Sequence, residues 1–103
     1  MIIKLKDNEI FVFGSNLMGK HGKGAALYAK INFGAIEGVG EGIQGRSYGI
    51  PTKGYDLRYA LPLNEIKVYV DKFIAYASRD QRTFLVTEIG CGLAGYKPKD
   101  IAP

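Results

Sequence analysis

EIFVFGSNLMGKHGKGAAL, residues 9–27, passes from an apolar tetrad through a glycine-punctuated stretch into alanines. The tetrad Ile10-Phe11-Val12-Phe13 has no polar face to turn to water, so it reads as a buried central strand. Glycine follows at once. Gly14-Ser15-Asn16 therefore opens a loop that lasts to Gly24. Beyond it, GAALYAKINFG carries its alanines, Leu27, Tyr28 and Ile31 in a pattern that fits a helix, closed by Gly34. Strand, glycine loop and helix in that order predict an α/β fold with helices covering a mixed sheet. Ligands in such sheets sit outside the carboxyl ends of the strands, which is where this loop falls.

Working outward, residues 2–5 predict a short strand divided from residues 9–13 by the turn Lys6-Asp7-Asn8. Residues 35–46, AIEGVGEGIQGR, hold four glycines and no period, and read as a flexible connection and a mobile loop. Residues 47–51 predict a short strand ended by Pro51, which has no N–H for a ladder, and residues 52–62 a loop. From Leu63 the apolar groups Leu63, Ile66, Val70, Phe73, Ile74 and Ala77 share one helical face. Residues 83–89, TFLVTEI, predict a further strand running directly into Gly90-Cys91-Gly92-Leu93-Ala94-Gly95-Tyr96. Pro98, Lys99 and Asp100 look like the opening of a helix that stops at Pro103, so the fold is expected to be cut short at the C-terminus.

With 103 residues the chain is long enough for one core, and a single domain over residues 1–103 is the expectation. Hydrophobic residues at 47% and charged residues at 23% exclude a disordered or fibrous chain. One cysteine and one histidine make neither an internal disulfide nor a structural zinc site, so no metal and no cofactor are expected. No stretch approaches the ~20 apolar residues of a membrane span. Lys4, Lys6, Asp7 and Glu9 interrupt any signal-type run, which predicts a cytoplasmic protein without membrane contact. The net charge of +4 favours an anionic partner. Nothing in the composition speaks to oligomeric state.

The glycines say where that partner would sit. Eleven of the 14 lie between Gly14 and Gly54. Gly19, Gly22 and Gly24 allow the backbone conformations that turn successive N–H groups toward an anion, and the following helix adds its N-terminal partial charge. No acid occurs from Ile10 to Ile36, whereas Lys20, His21, Lys23 and Lys30 all do. The second loop repeats the pattern between Glu88 and Asp100. Two acid-free loops suit the two phosphates of a diphosphate. Neither Lys20 nor Lys23 is followed by the Ser or Thr of a P-loop, and GxGxxG is not found in the first loop.

Seven side chains have two readings each. Asn16 offers a donor and an acceptor to a ribose hydroxyl or a water, and is equally a favoured turn cap. Tyr96 suits packing on a sugar or base and Tyr48, Tyr55 and Tyr59 an aromatic wall, and all four are equally ordinary surface or core tyrosines. Cys91 is a small buried hydrophobe, or a nucleophile with His21 as its base. His21 otherwise faces solvent or phosphate.

Asn16 ahead of Gly19, Gly22, Gly24 and Ala25, together with Gly92-Leu93-Ala94-Gly95-Tyr96 after a strand, resembles the macrodomain family of ADP-ribose-binding modules. The likeness is strongest to small phage and bacterial macrodomain-like proteins carrying FGSNLxGxHGxGAA and IGCGLAGY, and covers most of residues 9–102. It implies a three-layer α/β/α fold and ADP-ribose or a related nucleotide diphosphate as ligand. It further implies ligand contacts at Gly14, Ser15, Asn16, Gly22, Gly24 and Ala25, and at Gly90, Cys91, Gly92, Leu93, Ala94, Gly95 and Tyr96. Asn16 and Tyr96 would meet the distal ribose, residues 22–25 and 92–95 would hold the diphosphate, and Asp7 is the candidate for the adenine amino group. Weak ADP-ribosyl hydrolysis would use Asn16 as the catalytic residue that orients water. Two other functions compete: a nucleic-acid-binding accessory protein using Lys20, Lys23, Lys53, Arg58, Lys97 and Lys99, and a Cys91-dependent hydrolase.

Overall fold

The structure, a computed structural model, describes residues 4–86. The apolar tetrad lies in β1 (Glu9–Asn16), followed by α1 (Gly24–Asn32), β2 (Gly42–Gln44), β3 (Ser47–Lys53), α2 (Leu63–Ala77) and β4 (Thr83–Val86). The strands form one sheet in the order β2-β3-β1-β4. β1 runs parallel to both neighbours, Phe11 opposite Ser47 on one side and Glu9 opposite Thr83 on the other. β2 is antiparallel to β3, which makes the sheet mixed, as expected.

An interior strand with a helix on each side must be apolar on both faces, and β1 divides its side chains between two clusters accordingly. Ile10 and Val12 pack with Tyr48, Ile50 and Leu61 beneath Ile66, Val70 and Phe73 of α2. Phe11 and Phe13 point the other way, onto Ala26 and Ala29 of α1 and onto Phe33 and Ala35. The two alanines let α1 lie close to the sheet, while Phe33, with its ring 5.1 Å from that of Phe11, fills the space at the helix end. α2 buries a narrower stripe than its sequence pattern predicts. Ile66, Val70 and Phe73 are buried, but Leu63 and Ile74 each stay 37% exposed.

Three local expectations need correction. Gly14, Ser15 and Asn16 belong to β1 rather than to the loop, because β3 continues past Pro51 to Lys53 and supplies them with partners. The proline is accommodated beside a register shift between Ser15 and Asn16. Lys4 and Leu5 lie in no strand; Leu5 instead packs against the Phe11 cluster, and Ile2 and Ile3 fall outside the described residues. Residues 35–46 are not a loose connection, since β2 lies within them. The end of the last predicted strand after Val86, the loop at residues 90–96 and the helix at Pro98 also lie outside the described residues.

Between α2 and β4 the chain turns on an ion pair. The Arg82 guanidinium donates to both Asp80 carboxylate oxygens, the shorter contact being 2.6 Å, and to the Tyr76 hydroxyl at 3.1 Å. Hydrogen bonds from Arg82 lower the Asp80 pKa to about 2 from an ordinary 3.8. A carboxyl whose pKa is depressed by folding stabilises the native state above its unfolded pKa, and this contribution disappears as pH falls through the folded value. Asp80→Asn is therefore expected to lower stability by a nearly constant amount above about pH 5 and to flatten the part of the acid-unfolding curve between about pH 4 and pH 2, as followed by circular dichroism.

Candidate anion-binding loop

The loop between β1 and α1 starts from a brace. The Asn16 side chain accepts from the Lys20 N–H and donates to the Lys20 carbonyl, both at 2.9 Å, while the Gly19 N–H donates to the Asn16 carbonyl at 3.0 Å. Asn16 is buried, and its carboxamide thus makes the turn-stabilising contacts that one of its two readings required. One amide hydrogen and one oxygen lone pair remain beyond these bonds. Ser15 is buried in the sheet, where its carbonyl accepts from the Thr52 hydroxyl at 3.3 Å, and Gly14 is half-buried.

His21 is fully buried rather than facing solvent. Its Nε2 lies 3.0 Å from the Val39 carbonyl and 3.3 Å from the Gln44 Oε1. Both are acceptors, which assigns the proton to Nε2. The ring stands edge-on to Phe13 at 5.3 Å, and Nδ1 has no hydrogen-bond partner among the described residues. Its suggested nucleophile partner, Cys91, lies outside them.

Residues 36–44 fold back over this loop. Gln44 Oε1 accepts from the Ile36 N–H at 2.7 Å, Gln44 Nε2 donates to the Val39 carbonyl at 3.0 Å, and the Gly38 N–H donates to the Gly19 carbonyl at 2.8 Å. The approach is so close that a Cβ at Gly40 would stand 2.0 Å from the Asn16 carbonyl oxygen. This segment also delivers a carboxylate to the loop. Glu37 Oε1 accepts from the His21 N–H at 3.2 Å and pairs with Lys30 Nζ at 3.3 Å. The His21 N–H, and then Lys30, hold the Glu37 carboxyl below the usual carboxylate range. The sequence window free of acids ends at Ile36, and the next residue is the one that folds onto the loop.

The far end of the loop is open. Gly22, Lys23 and Gly24 are exposed, and a Cβ at Gly22 or Gly24 would meet nothing within 4 Å. Gly24 enters α1 at φ +65°, whereas Gly22 does not use a positive φ. α1 has no side-chain cap at its N-terminus and no acid in its first turn, so the amides of Gly24, Ala25 and Ala26 begin the helix without an internal hydrogen-bond partner of that kind.

Because β1 and β3 are parallel, the loop after β3 leaves from the same edge, joined to the first by Leu17 N–H donating to the Lys53 carbonyl at 3.0 Å. Tyr55 and Tyr59 are exposed there, with the Arg58 guanidinium 5.6 Å from the Tyr59 ring centre. Tyr48 does not join them. It is buried between Phe73 and Tyr76, and burial pushes its phenol up to about 12. β4 also runs parallel to β1, with Val86 opposite Val12, and Gly90, Cys91, Gly92, Leu93, Ala94, Gly95 and Tyr96 lie outside the described residues. A shallow concavity of about 410 Å³ lies elsewhere, along α2 among Lys72, Tyr76, Arg79 and Asp80. Among the described residues no three of His, Cys, Asp and Glu gather as metal ligands, and no helix is long and apolar enough to cross a membrane.

Asn16→Ala removes two partly buried hydrogen bonds and is expected to lower stability by about 1–2 kcal/mol in urea unfolding. Gly40→Ala is expected to cost at least about 1–3 kcal/mol, because backbone meets backbone, whereas Gly22→Ala should melt within about 0.5 kcal/mol of wild type. Comparison of the chain with protein-family models, with curated proteins and with solved structures gave no match.

Proposed function

We propose that the chain binds ADP-ribose or a related nucleoside diphosphate, with a phosphate lying against the amides at residues 22–25 and the glycine segment at residues 90–96 completing the site. The observation that carries this reading is the open start of α1: no side-chain cap, no acid in the first turn, and clear space above Gly22 and Gly24. Such a terminus presents N–H donors and a partial positive charge to an anion. Lys20 and Lys23 add positive charge to the same loop. The sequence likeness to small phage and bacterial macrodomain-like proteins supports the nucleotide identity and the finer reading of the sheet and its helices as macrodomain-like.

Binding, rather than turnover, is the activity this geometry favours. Asn16 is the residue through which water would be oriented for hydrolysis, yet its carboxamide is bonded at both ends to Lys20. The competing nucleic-acid reading draws on Lys53, Tyr55 and Tyr59 at the same edge, where exposed rings offer stacking surfaces.

Calorimetric titration with ADP-ribose is expected to give saturable one-site binding stronger than that of AMP or inorganic phosphate. Gly22→Glu places a charge at an open, unstrained position and is expected to weaken that binding by at least about tenfold while the protein melts normally. Unchanged affinity in the folded variant would exclude the loop as the phosphate site. Oligonucleotide binding that weakens steeply with salt, without an ADP-ribose signal, would favour the nucleic-acid reading instead.

A further inference from the structure

The glycine loop already holds an anion, and it belongs to the protein. A backbone N–H donating to a carboxylate oxygen, with an ammonium beside it, is the kind of contact a phosphate oxygen would make. At this loop the donor is the His21 N–H, the ammonium is Lys30 and the acceptor is Glu37 Oε1. Both contacts fall on one oxygen, and the Glu37 and Lys30 side chains are 50% and 43% exposed. Exposed pairs of this kind contribute little to stability, so exchanging the carboxylate for another anion disturbs little.

The surrounding segment does not depend on this contact. On one side of Glu37 the Ile36 N–H is held by Gln44, and on the other the Val39 carbonyl is held by both His21 and Gln44. Glu37 can therefore turn its side chain away while residues 36–44 stay in place. We propose that the Glu37 carboxylate is a built-in occupant of the loop's anion position, displaced when a diphosphate binds, and that the cost of displacing it sets a threshold that a singly charged anion does not overcome. The inference rests on the reading of this loop as a phosphate-binding element. An incoming monoanion replaces one negative charge by another at His21 and Lys30 and gains nothing from the exchange. A diphosphate brings more charge to the same N–H and ammonium, with further oxygens for the amides of residues 22–25.

Two substitutions in the full chain separate charge from contact. Glu37→Gln keeps an oxygen for the His21 N–H but removes the charge, and Glu37→Ala removes both. With inorganic pyrophosphate and inorganic phosphate as probes, both variants are expected to bind each anion more tightly than wild type by about threefold to tenfold. In the wild-type protein the His21 amide resonance is expected to shift with pyrophosphate concentration along the binding curve. If wild type binds pyrophosphate but the variants bind it equally or more weakly, or if the His21 amide does not move, Glu37 is a fixed part of the loop and the displacement is wrong, with the phosphate reading intact. If neither wild type nor variant binds pyrophosphate, phosphate or ADP-ribose, the phosphate reading itself falls and the displacement falls with it.

Discussion

The Gln44 carboxamide is the contact around which the candidate site is organised. Its oxygen receives the Ile36 N–H and faces His21 Nε2, while its nitrogen donates to the Val39 and Gly42 carbonyls. One buried side chain thereby satisfies polar groups of a segment that has little regular structure of its own. Leaving such groups without partners in the interior would oppose folding, and water does not reach a residue only 3% exposed. With Gln44 in place, residues 36–44 can press on the β1–α1 loop, and His21 can be buried there as the post between them. The position of Glu37 then follows from the path of the backbone rather than from an attraction of its own.

The same arrangement explains why the loop is half rigid and half open. Residues 16–21 are held by the Asn16 brace, by the pairing of Gly19 with Gly38 and by the His21 imidazole. Residues 22–24 project beyond these contacts to the start of α1. A rigid base with exposed amides at its tip suits recognition, because a ligand meets donors whose positions are already restricted. The glycines contribute in opposite ways. Gly40 is required by the backbone pressed against it, whereas Gly22 leaves space that nothing in the described chain fills.

Much of the scaffold was legible because it is written in local patterns. Ile10-Phe11-Val12-Phe13 announced a strand covered on both faces, and the spacing of Ile66, Val70 and Phe73 announced α2 with the face it buries. The loop's partner was not legible. Residues 35–46 show no period because their order comes from His21 and Gln44, reached across the fold rather than along it. His21, beside lysines and glycines, looked like a surface residue for the same reason. A charge count along the chain also missed Glu37, which is adjacent in space to a window it does not belong to in sequence. The polar Gln44 between Ile43 and the Gly45-Arg46 turn was the only local sign that this segment had something to satisfy.

The placing of β1 between β3 and β4 has a consequence for the order in which the molecule assembles. β1 leaves the ribosome before either of its partners, residues 47–53 on one side and 83–86 on the other. Until they emerge, this apolar strand has two unpaired edges and can be screened chiefly by α1, which follows it directly. The nascent protein therefore exposes an aggregation-prone strand until β3 and β4 are made, and the α1 alanines that seat the helix close to Phe11 and Phe13 offer it local cover.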